Sequence, residues 1–243
     1  MEIKICHLYP DVLNLYGDRG NIRCLVKRLE WRGIDTLVKE LPIGVSEDLS
    51  QYDLFFIGGG QDFEQEVLLD DLRKGKAEEI KKVIEDDKVF LAICGGYQML
   101  GNYYQTWDGH RCDFIGAVDF YTLGAQERMI GNYMFQCLSQ SGGSTVVGFE
   151  NHSGKTYLGQ GVSPLGRIIK GFGNNGEDGG EGIRYKNVFG TYSHGPVLPK
   201  NPLFADMILE TALNQKYPDY KITELDDTCE NTAHEYMENR LRG

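Results

Sequence analysis

A cysteine between a strand-like run and a helical pattern is the residue of this chain best suited to nucleophilic chemistry. The run Phe90–Ile93 is apolar, Cys94 ends it, and Gly95 and Gly96 follow directly. Glycines remove side chains from a tight turn and tolerate unusual backbone angles. The helix that begins there points free N–H groups and a partial positive charge at the sulfur, which favours the reactive thiolate. The pattern predicts a nucleophile at a strand-to-helix elbow.

A histidine far along the chain is the candidate general base. His194 follows the strand-like segment Asn187–Tyr192, and the ends of strands are where sheet enzymes place catalytic groups. An imidazole at such a place would accept the proton of the Cys94 thiol and then donate it to the leaving group. For a cysteine and a histidine chosen at random from a sequence, a buried core cysteine and a surface histidine would be the commoner interpretation. The two glycines of the elbow outweigh it here.

Two glycine turns supply candidate donors for an oxyanion hole. Gly58, Gly59 and Gly60 follow the apolar run 53–57, and successive glycines let backbone N–H groups approach a ligand closely. We predict one donor at the turn of Gly59 and Gly60, and a second in the N–H of Gly95. For the three glycines taken alone, a plain strand-to-helix turn is an equally good interpretation.

Phosphate and metal chemistry find no support in the sequence. Gly154-Lys155-Thr156 resembles the end of a phosphate-binding loop, but Gly148 stands one residue too far away and no helical pattern follows. The six cysteines are scattered without C-x-x-C spacing, so we expect neither a zinc site nor a disulfide framework. We therefore expect no cofactor and no metal in this chain.

Alternating strands and helices organise the first hundred residues. Four strand-like runs and two helical patterns follow one another at 3–9, 21–31, 36–41, 53–57, roughly 65–86, and 89–93. Such alternation is typical of a parallel sheet covered by helices. We predict an α/β fold in which the last of these runs carries the elbow.

The second half of the chain has a different pattern. Strands predominate from residue 104 to 194, with turn signals at 108–109, Ser141–Gly143 and 173–176, and helical segments follow near 202–214 and 231–241. Because no Pro- or Ser-rich linker separates the halves, we predict one domain. We assign residues 1–200 to its main body and residues 201–243 to a C-terminal helical extension.

Charge and hydropathy exclude some partners. The formal net charge is −11, whereas phosphate binding needs clustered Lys and Arg, so nucleic acid is not expected as the main partner. No run approaches the roughly 18 apolar residues of a membrane-spanning helix. The start at Met1–Ile5 shows no secretory signal, and we expect a cytoplasmic protein.

Three motifs together resemble the class I glutamine amidotransferases: Gly58–Gly60, Ile93–Gln98 and Tyr192–Gly195. Gly-Gly-Tyr-Gln at the elbow and His-Gly after the strand resemble the cobyric acid synthase-like branch of that class. The resemblance implies a flavodoxin-like parallel-core sheet flanked by helices. It also implies that Cys94 is the nucleophile and His194 the general acid and base.

One position departs from the common pattern of that class. Its members usually carry a glutamate two residues beyond the catalytic histidine, and this chain has Pro196 there. An imidazole without an orienting acceptor is a poorer base. Asp18, Glu150 or a carboxylate of a partner subunit are the alternatives for that role. If the partner subunit supplies the carboxylate, glutaminase activity would be low until this chain binds that subunit.

Further motifs are similar to the family of glutaminase subunits of lipid II isoglutaminyl synthases: Leu13–Asn21, Val147–His152 and Gly171–Asn175. Membership would imply hydrolysis of L-glutamine to glutamate and ammonia. A Mur ligase-like partner, holding ATP and Mg, would use this ammonia to amidate the D-glutamate α-carboxylate of lipid II. Arg128 matches the family position associated with binding glutamine, and a guanidinium can hold a carboxylate with two hydrogen bonds. An ordinary surface arginine is the alternative.

Two other functions stay open. The first is a corrinoid-type amidotransferase subunit from the same branch. The second is a cysteine peptidase or a non-catalytic binding module on this fold. A peptidase would ignore free glutamine, and a binding module would be unaffected by Cys94→Ala.

Overall fold

The computed structural model of the protein describes residues 1–60, 62–138 and 143–243, and only the backbone of residues 62–66. The strands are β1 Glu2–Leu8, β2 Asp35–Leu41, β3 Leu54–Ile57, β4 Val89–Ile93, β5 Tyr103–Gln105, β6 Arg111–Asp113, β7 Phe120–Cys137, β8 Thr145–Leu158, β9 Gly166–Lys170, β10 Gly180–Glu181, β11 Ile183–Tyr185 and β12 Val188–Thr191. The α-helices are α1 Arg19–Glu30, α2 Asp62–Asp71, α3 Ala77–Glu85, α4 Gly95–Met99, α5 Pro202–Lys216 and α6 Thr228–Arg242.

The first sheet has the strand order β11-β12-β4-β3-β1-β2. All neighbours are parallel except β11, which pairs antiparallel with β12. Every residue of β3 and β4 is buried, as expected for strands covered on both faces. The predicted α/β fold is therefore confirmed. Because β3, β4 and β12 run in parallel, the residues that follow them meet at one edge of the sheet.

The helices cover this sheet through apolar faces. Helix α1 buries Ile22, Leu25 and Leu29, which recur at helical spacing. The helical pattern predicted at roughly 65–86 is found as two α-helices, α2 and α3, which are joined by a π-helical turn at Leu72–Lys76. Gly75 has a φ of 119° there, a conformation that interrupts a regular helix.

The strand-rich half forms a second sheet, with the order β10-β9-β7-β5-β6 and with β8 paired to β7. Strands β7 and β8 are long and antiparallel, and their register shifts between Gly124 and Met129. Residues 125–128 therefore bulge from β7. The turn predicted at Ser141–Gly143 lies partly outside the described residues. Phe149 of β8 also pairs with His194, which connects this sheet to the edge of the first sheet where β12 ends.

The two C-terminal helices pack differently. Helix α5 buries seven residues, whereas α6 buries none. Polar contacts anchor the last segment: Arg28 bonds both Asp206 and Asp227 at 2.7 Å, and His234 Nδ1 donates to the carbonyl of Lys200 at 3.0 Å. The division at residue 200 stays a prediction. In the part of the chain that the structure describes, no helix is long and apolar enough to cross a membrane.

Candidate active site

The elbow after β4 presents Cys94 in a strained conformation. Its φ of 46° and ψ of −107° lie where residues other than glycine are rarely found, as is typical of a nucleophile elbow. The Cys94 N–H donates to the carbonyl of Thr191 at 2.9 Å, so the end of β12 holds the elbow in place. A Cβ on Gly96 would lie 2.5 Å from the carbonyl oxygen of Gly58. Only glycine therefore allows the two turns to approach each other this closely.

His194 lies beside Cys94, as the sequence predicts. Its side chain is fully buried, and its backbone exchanges hydrogen bonds with Phe149. A Cβ built on Gly59 would lie 2.5 Å from His194 Cε1, 3.1 Å from Asp18 Oδ2 and 3.4 Å from Cys94 Cβ. The thiol, the imidazole and a carboxylate thus surround one point in space.

Asp18 is the carboxylate beside the imidazole. Its Oδ2 lies 3.4 Å from His194 Nδ1, and it also accepts the N–H of Gly59 at 2.7 Å. The N–H of Leu15 donates to the carbonyl of Gly59 at 3.0 Å, so this loop is fixed against the end of β3. Glu150, the other candidate in this chain, accepts bonds from the loop at residues 172–173 instead. Within this chain, the structure therefore supports Asp18 as the orienting group.

The electrostatics of the site favour a protonated imidazole. Burial by itself lowers the pKa of His194, but the charge of Cys94 and the carboxylate of Asp18 outweigh burial and raise the pKa to about 10. An imidazolium held beside the sulfur of Cys94 and the carboxylate of Asp18 can act as an acid towards a leaving amine.

The candidate oxyanion donors are placed unequally. The Gly59 N–H is engaged by Asp18, so the prediction of a free donor at Gly59 needs correction: this glycine makes room for His194 instead. Gly60 is buried beside it at the end of β3. Gly95 begins α4, where N–H groups lack intrahelical partners. Gly60 and Gly95 are the remaining candidates.

Arg128 lies on the exposed bulge of β7, away from the buried pair. Its Nε donates to Asn151 Oδ1 at 2.8 Å, and Asn151 in turn donates through Nδ2 to the hydroxyl of Tyr16. The ring of Tyr16 meets the His194 ring edge-on, with centroids 4.9 Å apart. Arg128 is thus connected to the imidazole through Asn151 and Tyr16. The sequence did not single out either residue, although both lie in the motifs that carry the family resemblance.

A surface groove of about 490 Å³ borders this arginine. Residues of the bulge, Lys155, Phe172 and the turn at 175–176 line it. Among the residues with described side chains, no group of three or more His, Cys, Asp or Glu is arranged to hold a metal ion.

The fold and the site together define a class I glutamine amidotransferase. The chain belongs to the family of the CobB/CobQ-like glutamine amidotransferase domain, which matches residues 4–202. A solved glutamine amidotransferase from Thermotoga maritima has the same fold, with a TM-score of 0.53 at 16% identity, over 99% of this chain and 92% of that one.

Two curated relatives are similar over most of their length. The GatD subunit of the glutamine-hydrolysing lipid II isoglutaminyl synthase from Streptococcus pneumoniae is 43% identical, over 89% of this chain and 82% of its own. The GatD subunit from Staphylococcus aureus is also 43% identical, over 98% of this chain and 96% of its own. A probable cobyric acid synthase from Methanothermobacter thermautotrophicus is 34% identical over 74% of this chain, but only 39% of its own length is covered.

Proposed function

We propose that this chain is the glutaminase subunit of a lipid II isoglutaminyl synthase. It hydrolyses L-glutamine to L-glutamate and ammonia. The ammonia passes to a Mur ligase-like partner that uses ATP and Mg to amidate the D-glutamate α-carboxylate of lipid II, which yields D-isoglutamine. The convergence of Cys94, His194 and Asp18, in a chain similar to two GatD subunits over most of their length, carries the proposal.

The reaction proceeds through a thioester. The Cys94 thiolate attacks the side-chain carbonyl carbon of glutamine, and the N–H groups of Gly60 and Gly95 stabilise the oxyanion. The imidazolium of His194 protonates the nitrogen, and ammonia leaves as the oxyanion collapses. His194 then takes a proton from water, and the resulting hydroxide attacks the thioester. The collapse of this second intermediate regenerates the thiolate beside a His194 that keeps the proton taken from water. The product leaves as glutamate after its new carboxyl group gives its proton to solvent.

The other side chains position these groups. Asp18 holds the imidazole by its Nδ1, so that Nε2 faces the reaction. Arg128 binds the α-carboxylate of glutamine with the N–H groups that do not donate to Asn151. The coverage of the relatives favours this proposal over a corrinoid amidotransferase, because the chain spans most of each GatD subunit but under half of the cobyric acid synthase.

An isotope experiment tests the proposal. The chain and its ligase partner are incubated with ATP, lipid II and glutamine that carries ¹⁵N in its amide. We expect release of glutamate and ¹⁵N in the D-isoglutamine amide of lipid II. Cys94→Ala abolishes both, while added ammonium salt restores amidation. If the wild-type complex leaves glutamine intact, and a diazo-oxo glutamine analogue does not label Cys94, the proposal is wrong.

A further inference from the structure

We propose that Asn151 is a positioning residue for substrate binding: it orients the guanidinium of Arg128, and Tyr16 orients Asn151. The inference rests on the proposed function, in which Arg128 binds the α-carboxylate of glutamine. Neither Asn151 nor Tyr16 takes part in the chemical steps above. Both lie between the buried base and the exposed arginine.

Asn151 holds Arg128 at two points. Arg128 Nε donates to Asn151 Oδ1 at 2.8 Å, and Nη2 donates to the backbone carbonyl of the same residue at 3.3 Å. A guanidinium has five N–H groups in a planar fork, so two contacts fix its plane and leave three N–H groups for a ligand. Arg128 also lines the groove of about 490 Å³. The free N–H groups therefore belong to a side chain already placed at a ligand-sized opening.

The acceptors that hold Arg128 are neutral. Neither of its two bonds is to a carboxylate, and the described residues include no acidic side chain in an ion pair with it. An amide and a peptide carbonyl orient the guanidinium without cancelling its charge. The charge stays available for an incoming carboxylate, which a structural salt bridge would not allow.

Arg128 selects which end of the Asn151 amide faces it, and Tyr16 holds the amide in that orientation. The Tyr16 hydroxyl accepts from Asn151 Nδ2, so the amide oxygen is turned towards the guanidinium. The opposite orientation would set an NH₂ group against a cation that can only donate. By accepting from Nδ2, the hydroxyl of Tyr16 limits rotation of the amide away from the one orientation that can hold the arginine.

The backbone of Tyr16 is strained in a way consistent with this role. Its φ of 54° and ψ of 25° are left-handed, which is costly for a residue with a large side chain. The contacts around the loop maintain it: the N–H of Leu15 donates to Gly59, and the ring packs edge-on against Phe149 and His194. Asp18 lies two residues further along. One loop therefore carries both the group that orients the base and the group that orients the arginine.

Asn151→Leu, which keeps the branching at Cγ and the number of side-chain heavy atoms, tests this role in the complex with the ligase partner. The Leu side chain cannot accept from Arg128 Nε, although the backbone carbonyl of residue 151 keeps its bond to Nη2. Because one charge-assisted hydrogen bond is lost, KM for glutamine should rise about 10- to 100-fold with kcat within about 3-fold. Tyr16→Phe keeps the ring on His194 but frees the Asn151 amide to rotate, so a smaller rise in KM of about 3- to 10-fold is expected. Gln160→Leu, which replaces an exposed amide just beyond the end of β8 that does not line the groove, should leave KM unchanged.

A second measurement separates positioning from a general structural defect. Iodoacetamide is uncharged and lacks a carboxylate, so its rate of alkylation of Cys94 depends on the thiolate and not on Arg128. We expect this rate to be unchanged in both variants. An unchanged KM in both would overturn the inference, as would an alkylation rate that falls in parallel with glutamine turnover. If the wild-type complex did not hydrolyse glutamine, the proposed function itself would fail, which is a separate outcome.

Discussion

Two loops meet at the active site, and they are built on different principles. The elbow after β4 places Cys94 between a buried strand and the first residues of α4, all within a few positions of the chain. The loop before α1 brings Asp18 to His194 across 176 positions of sequence. Both contain a non-glycine residue with positive φ, at 46° for Cys94 and 54° for Tyr16. Presenting the nucleophile is thus a local property, whereas orienting the base is a long-range one.

The largest expected loss of activity comes from a change in the elbow after β4. Cys94→Ala removes the attacking sulfur, and glutamine hydrolysis by the complex should fall by ~10⁴-fold or more. Ammonia-dependent amidation should persist, because the partner performs that step. Substantial residual glutaminase activity would show that the elbow is not where the bond is broken.

Gly59→Ala tests the point at which the two loops meet. The new Cβ would lie 2.5 Å from His194 Cε1, so the imidazole must move, and a displacement of this kind costs about 100-fold in kcat. Gly33→Ala is the matched control: that glycine has a φ of 68° and no neighbour within 4 Å of the new atom. The control should lose about 1 kcal/mol of stability while kcat is unchanged. Equal activity of the two variants would contradict the crowding.

Asp18→Asn probes the long-range loop without changing its shape. Loss of the carboxylate leaves the imidazole poorly oriented, and kcat should fall about 100-fold or more. The pH profile gives a sharper result. Because protonated His194 donates to the departing nitrogen and its pKa is raised to about 10, wild-type kcat should decline only near that pH. The variant loses a group that raises this pKa, so its decline should begin at lower pH. An unshifted alkaline limb would exclude Asp18 from this role.

The smallest effect concerns the carboxyl beneath β12. Burial raises the pKa of Glu181 to about 7, and its Oε1 accepts from Thr191 and Tyr192, the residues just before His194. The folded state then holds this proton more tightly than the unfolded state, so its stabilising contribution is complete at pH 4 and is lost as pH rises through 7. Urea unfolding at pH 5 and pH 8 should show a loss about 1–3 kcal/mol larger in wild type than in Glu181→Gln. If the free energy of unfolding depended on pH identically in wild type and Glu181→Gln, the raised pKa of Glu181 would be refuted.

The local features of the site could be predicted from the sequence, whereas its long-range contacts could not. The strand predicted at 89–93 coincides with β4, because an unbroken apolar run ending in two glycines leaves few other structures. The helical pattern at 65–86 contained Gly75, yet periodicity alone did not reveal that the backbone breaks there. Asp18 was one of three alternatives for the orienting group, since a carboxylate in a turn-rich loop is equally suited to capping a helix. The hydrogen bond that occupies Gly59 depended on that same loop and was not foreseen.

By itself, the sequence predicted the parallel α/β core, the elbow that carries Cys94 and the strand end that carries His194. Each depends on short-range periodicity, on sterics at glycine, or on the place where a strand ends. Only the tertiary structure decided that Asp18 stands beside His194, that Gly59 makes room for the imidazole, and that Asn151 and Tyr16 join Arg128 to the base. These contacts join residues from separate loops and from both sheets. No local pattern records such pairings, because the folding of the whole chain brings those side chains together.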